Sequence, residues 1–221
     1  MSTVIQSSFP GHPEPASSPS PLRIVTAASL FDGHDAAINL MRRLIQAQGC
    51  EVIHLGHNRS VADIVRAAVC EDADAVAVSS YQGGHNEFFR YLVDSLAEQG
   101  AEHIQVFGGG GGTITPAEIR ELQTHGVNRI YHPDDGMKMG LQDMIEDLVA
   151  RTWAAREKRD SGFAVQGSGQ VLSDIEIGQT LSAIENGTYP ESRLKALRQP
   201  PGNPEPGTLK PVLGLTGTGG A

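Results

Sequence analysis

Asp32-Gly33-His34 is the segment of this 221-residue chain whose residue types and spacing could do chemistry. A histidine that ligates a metal through one ring nitrogen needs a partner on the other, because that partner fixes tautomer and ring direction and raises the basicity of the coordinating atom. Asp32, two residues earlier, is placed to be that partner. Taken alone, a histidine at a helix start is equally a capping or solvent-facing residue, so the pair draws its meaning from its company. Ser79 and Ser80 close the apolar run that begins at Val76, and Tyr81-Gln82-Gly83-Gly84-His85 follows. Their hydroxyls could satisfy a buried polar atom of a ligand, or simply form a turn. Farther on, Ile104 to Phe107 leads into the glycine run Gly108 to Gly112. Glycines let a backbone approach a ligand without a Cβ in the way, although such a run could also be a flexible connector.

Each of these stretches follows a β-branched run and precedes a helical pattern. The periodicities predict strands over residues 22–28, 51–55, 75–79, 104–107 and 129–131, and helices over 34–48, 61–71, 86–99, 116–125 and 137–156. Strands alternating with helices imply an α/β fold: a doubly wound, five-stranded parallel sheet with right-handed crossovers. Ser60 before Val61-Ala62-Asp63, and Thr115 before Pro116 and Glu118, read as helix caps with an acid in the first turn. Gly49, Gly100 and Gly126 stand where left-handed helix ends need glycine. In such a sheet the chemistry-bearing stretches all meet at the carboxyl edge, where open α/β folds bind ligands.

A net charge of −9 argues against sequence-independent nucleic-acid binding, which needs a basic stripe. Cys50 and Cys70 form neither a zinc pattern nor a disulfide framework. No apolar run approaches the length of a membrane span and the N-terminus lacks a secretory pattern, so the expectation is a cytoplasmic protein that touches no membrane. His54, His57, His85, His103, His125 and His132 are expected at the surface or in turns, with no metal assigned to them, and His85 is the one near the ligand edge.

These motifs resemble the cobalamin-binding domain of the adenosylcobalamin-dependent acyl-CoA mutases, whose pattern is Asp-x-His-x-x-Gly, then Ser-x-Leu, then Gly-Gly. Asp32, Gly33 and His34 match the first, Ser79 with Tyr81 stands for the second, and Gly109-Gly110 fits the third. Ala37 replaces the closing glycine of the first motif, Tyr81 replaces the leucine, and Ala28 stands where a lysine often precedes the aspartate. The resemblance covers roughly residues 22–152. It implies a flavodoxin-like (Rossmann-like) sheet in strand order 2-1-3-4-5, and adenosylcobalamin bound base-off, with His34 as lower ligand to cobalt, Asp32 accepting its other N–H, and the nucleotide tail threading between sheet and helices. Ser79 would bond the buried base, Gly109 and Gly110 would leave it room, and Tyr81 would flank it. Gly33, Asp35, Ala36, Ser80, Gly83 and Gly84 complete the expected cofactor-binding set.

Residues 1–21 are rich in proline and serine and read as a disordered leader before a cobalamin-binding domain at 22–156. Residues 157–209 read as a linker with short helices over 173–186 and 190–198, too small for a core of their own. Residues 210–221 read as a strand entering a truncated P-loop, in which Gly217, Thr218, Gly219, Gly220 and Ala221 would bind nucleotide phosphates. This order resembles the fused isobutyryl-CoA mutases, a branch of the same family in which the cobalamin domain leads into a GTPase chaperone domain and a substrate barrel. The resemblance implies a radical isomerisation of isobutyryl-CoA to n-butyryl-CoA, with GTP and Mg2+ used by the continuing domain. It also implies a homodimeric full-length protein and a fragment that is inactive alone, with no catalytic residue of its own. A methyl-carrying corrinoid module, or a cobalamin subunit of the methylmalonyl-CoA mutase type, would use the same motifs. A flavodoxin-like FMN or signalling domain would need a phosphate-cradling or acidic first loop, which Ser29-Leu30-Phe31-Asp32 does not offer.

Overall fold

The computed structural model describes residues 20–160 and 173–198. Most of the expected leader and the expected P-loop at 217–221 lie outside the described residues.

Five parallel strands, β1 (Arg23–Ser29), β2 (Glu51–Arg59), β3 (Ala75–Ser79), β4 (Gln105–Gly109) and β5 (Arg129–Tyr131), form one sheet in the order β2-β1-β3-β4-β5. The expected topology is observed. Helices α1 (Asp35–Ala47), α2 (Val61–Cys70), α3 (His85–Glu98), α4 (Pro116–His125) and α5 (Pro133–Asp160) follow the strands in turn.

The helices divide between the two faces, and the inner strands are buried along most of their length because both their faces are covered. On one face Val25, Val76, Val78 and Val106 pack with Ile64, Phe89, Leu92 and Leu122 of α2, α3 and α4. On the other, Ile24, Ala75, Ala77 and Phe107 meet Ile45 of α1 and Met144, Ile145 and Leu148 of α5. Burying each of the larger side chains contributes about 1.5–3 kcal/mol, which holds the carboxyl edge as a rigid platform.

Both expected caps are complete capping boxes: Ser60 with Asp63, and Thr115 with Glu118. Gly49, Gly100 and Gly126 take positive φ, as a left-handed turn after a helix requires.

The structure departs from the expected bounds and packing at several places, β4 among them, which takes in Gly108 and Gly109 of the glycine run. Strand β2 runs to Arg59 instead of residue 55, because a register shift after Thr26 lets Gly56 and Arg59 pair with Ala27 and Ser29. Helix α5 begins at Pro133 and is broken at Gly140, whose φ of 81° and ψ of 164° are not helical. The 173–186 segment is an ordered helix, α6 (Asp174–Glu185), seated on α2 with Ile175 against the main core; α7 (Glu191–Arg198) follows. Gly178 makes that seat, since a Cβ there would lie 2.7 Å from the Val69 carbonyl.

Candidate functional site

The chain leaves β1 through a tight turn closed by the Asp32 N–H donating to the Ser29 carbonyl at 3.0 Å. Phe31 takes a left-handed φ of 65°, unusual for a bulky residue, and its N–H is held by Asn58 Oδ1 at 2.8 Å. This turn drives the Asp32 side chain inward, where it is fully buried. Its Oδ1 accepts the His34 backbone N–H at 2.8 Å and stands 2.9 Å from His34 Nδ1. Its Oδ2 accepts the Tyr81 backbone N–H at 2.7 Å. The carboxylate therefore ties the β1–α1 turn to the β3–α3 turn across the switch point of the sheet. Where the family pattern has a lysine, Ala28 is buried in β1, and the backbone of Tyr81 does the stabilising.

The His34 side chain is 67% exposed beside the fully buried carboxylate. With Nδ1 directed to Asp32, the other nitrogen, Nε2, is the one left for an external partner. The Tyr81 ring lies 5.4 Å from the imidazole, tilted by 40°. Among the described residues no group of three or more His, Cys, Asp or Glu could enclose a metal ion. His34 is thus suited to be the single protein ligand of a metal whose other positions are filled by a bound molecule.

Below this surface lies a cavity of about 90 Å³ between the sheet and helices α1 and α5. Ala37, Met41, Phe107, Tyr131 and Met144 line it, with Ser79 at its edge. Ser79 Oγ is buried and has no hydrogen-bond partner among the described residues. An unsatisfied buried hydroxyl costs about 1–3 kcal/mol, so its place in an apolar cavity marks where a polar atom of a ligand would bond. Tyr131 is already engaged, donating to Asp147 Oδ2 at 2.9 Å; burial, then that bond, pushes its hydroxyl far above the usual range.

Ser80 Oγ accepts from the buried Ser29 hydroxyl at 3.0 Å, and its N–H donates to the Gly109 carbonyl at 2.7 Å. The glycines at the end of β4 and in the β4–α4 turn differ in what they face. Gly108 and Gly109 line the cavity. At Gly110 a Cβ would fall 1.9 Å from the Ser80 carbonyl, so the protein's own backbone demands glycine there. Gly111 has φ of 57° and faces the Tyr81 ring.

Of the expected set, Asp32, His34, Ser79, Ser80, Tyr81, Gly109 and Gly110 meet at one edge. Gly33, Asp35 and Ala36 are exposed at the start of α1, and Gly83 and Gly84 are exposed before α3, where Gly84 (φ 83°) forms the cap. Ser29, Asn58, Tyr131 and the cavity lining escaped the sequence reading because ordinary residue types carry no motif signal. Two of the histidines expected at the surface are withdrawn from it: His85 is 8% exposed, and His103 is half-buried, where burial, then the charge of Arg159, pushes it down to about 4.

The model of the B12 binding domain matches residues 22–139, more than half of the chain and all of the site just described. The chain belongs to the B12-binding domain family. It is 54% identical over 205 residues to a fused isobutyryl-CoA mutase of Cupriavidus metallidurans, an alignment covering 90% of this chain and 18% of that protein. It is 31% identical over 134 residues to the 2-hydroxyisobutanoyl-CoA mutase small subunit of Aquincola tertiaricarbonis, covering 59% of this chain and 93% of that subunit. This B12-binding domain chain thus spans under a fifth of the fused relative and nearly the whole of the small subunit. Its fold is also that of a cobalamin-binding protein from Desulfitobacterium hafniense, at a TM-score of 0.50 and 23% identity over 59% of this chain and 58% of that one.

Proposed function

We propose that this chain binds adenosylcobalamin base-off, with His34 as the protein ligand to cobalt, and serves as the cofactor domain of an acyl-CoA mutase. The observation that carries the reading is the buried Asp32 holding the exposed His34 ring at 2.9 Å through Nδ1, beside Tyr81, which lines an apolar cavity that also holds the Ser79 hydroxyl, unpartnered among the described residues. The residues fit the group. A base separated from its metal brings one buried nitrogen that needs a partner, and Ser79 offers it. A broad macrocycle needs a flat, open edge with one basic nitrogen, and His34 beside Tyr81 offers that.

In this role Asp32 orients the imidazole and keeps its coordinating nitrogen basic, and Tyr81 flanks the entry to the cavity. Ser79 bonds the base, while Gly108 and Gly109 leave room beside the sheet. When bound, the cofactor supplies radical chemistry through homolysis of its cobalt–carbon bond. The protein's part is binding, orientation and exclusion of water.

The similarity to curated mutases supports isobutyryl-CoA as the substrate of the full protein, with residues 217–221 opening a GTPase domain and the substrate barrel following in the same polypeptide. These relatives favour a mutase over a methyl-carrying module. GTP and Mg2+, the homodimer and the cytoplasmic setting belong to this same proposal.

Titration of the purified chain with adenosylcobalamin, followed by visible absorbance, tests it. Saturable binding with the spectrum of a histidine-ligated, base-off corrinoid is expected, and His34→Ala should lose that spectrum. Absence of binding by the native chain overturns the proposal.

A further inference from the structure

His85 is nearly buried at the first position of α3, and the cofactor roles above leave it without a task. Both its ring nitrogens face oxygen acceptors. Nδ1 lies 3.3 Å from the Gln82 carbonyl, within its own turn. Nε2 lies 3.3 Å from Glu118 Oε1, in α4, close enough for charge attraction though not aligned as a hydrogen bond. The next residue points the same way: Asn86 Nδ2 donates to the same Glu118 oxygen at 2.9 Å. The second Glu118 oxygen accepts the Thr115 N–H at 2.8 Å and the Thr115 hydroxyl at 2.7 Å. One carboxylate thus joins the start of α3 to the start of α4.

What lies between those starts gives the junction its purpose. The β3–α3 turn carries Ser80 and Tyr81, and the β4–α4 turn carries Gly110 to Gly112, directly after Gly109 at the end of β4. Glycine loses more conformational freedom on ordering than any other residue, so a glycine-rich turn needs tethers at both ends. Its near end is tied by the Ser80 N–H to the Gly109 carbonyl, and Thr113 Oγ1 donates to the Gly110 carbonyl at 2.6 Å. Its far end runs directly into Thr115 and Glu118. The Glu118 carboxyl is held down at about 2, first by the Thr115 hydroxyl and N–H, with Asn86 and His85 adding, so it stays ionised at ordinary pH.

We propose that His85 and Asn86 are positioning residues which, through Glu118, clamp the glycine turn against Ser80 and Tyr81 and so set the shape of the cofactor's seat. The functional half rests on the cobalamin reading; the structural half does not.

The test uses the full chain in two measurements. Hydrogen exchange without cofactor follows residues 108–115, and equilibrium binding of adenosylcobalamin follows affinity and spectrum. His85→Leu and Asn86→Ala should each speed exchange in that segment roughly threefold to tenfold and weaken binding by a similar factor, while the histidine-ligated spectrum survives at saturation. His85→Gln, whose amide can donate to both acceptors, should restore both. The clamp is overturned if Leu and Ala variants exchange at the native rate in 108–115. It is also overturned if His85→Leu loosens the whole domain and Gln does no better, the pattern of a mere core-filling residue. If His85→Leu does not fold, the Asn86→Ala and His85→Gln pair decides. Failure of the native chain to bind cobalamin would sink the cofactor reading, and the exchange measurement would still decide the clamp.

Discussion

Asp32 holds Tyr81 with one carboxylate oxygen, 2.7 Å from its backbone N–H, and His34 with the other, 2.9 Å from its ring. The same buried group is therefore a staple of the fold and an orienter of the exposed imidazole. The two residues of the motif should separate when each is removed. In urea unfolding of the cofactor-free chain, Asp32→Ala should cost on the order of 3 kcal/mol, because two backbone N–H groups lose their acceptor. His34→Ala should stay within about 0.5 kcal/mol of the native chain, since its ring is mostly in solvent. Equal costs for the two would contradict the assignment of roles.

The glycine run is not one feature but several. Gly110→Ala places a methyl 1.9 Å from the Ser80 carbonyl and should destabilise by at least about 2 kcal/mol. Gly112→Ala meets nothing within 4 Å and should be neutral or stabilise by up to about 1 kcal/mol, by restricting the unfolded chain. Thermal melts of the two variants check the contrast, and similar losses at both positions would refute it.

Helix α6 belongs to the domain by packing rather than by sequence pattern. Gly178→Ala should push it from α2, because the Val69 carbonyl has nowhere to move without breaking its own helix. The expected result is a loss of about 1–3 kcal/mol and faster hydrogen exchange across 174–185, with β1 to β4 protected as before. Native-like protection of 174–185 in the variant would show that the contact does not hold the helix.

Acid should weaken the fold through His103 in a defined window. Its folded value near 4 lies below the ordinary 6.5, so above pH 6.5 both states are neutral there and nothing is lost. As pH falls from 6.5 towards 4, the unfolded chain takes up a proton that the folded one refuses, and stability declines with it. Allowing for partial exposure, the native chain should lose on the order of 1–2 kcal/mol more than His103→Gln across that window in urea titrations. Parallel pH profiles for the two proteins would rule this out.

How much of this was legible in the sequence follows from which forces leave a pattern. Alternating apolar runs, the boxes at Ser60 and Thr115 and the terminal glycines are local signals, and they gave the alternation of strands and helices and the helix starts, while the strand order came with the family resemblance. Asp32 and His34 were legible because a turn between strand and helix sets their spacing. The Asp32–Tyr81 bond was not, since it joins residues 49 apart through a backbone N–H that no side-chain motif encodes. Gly110 could be read as a site glycine, but its reason is contact with the Ser80 carbonyl. The burial of His85 and His103, and the seat of α6 on α2, depend on packing between distant segments, and composition alone pointed the other way.

The central claim is that His34, held by Asp32, is the protein ligand to cobalt. Labelling the chain with nitrogen-15 histidine and recording the electron paramagnetic resonance of its cob(II)alamin complex tests this most directly. The account predicts that the nitrogen splitting changes from a triplet to a doublet on labelling and disappears in His34→Ala. A splitting unaffected by the label would mean that the cofactor keeps its own base on the metal, contradicting the claim.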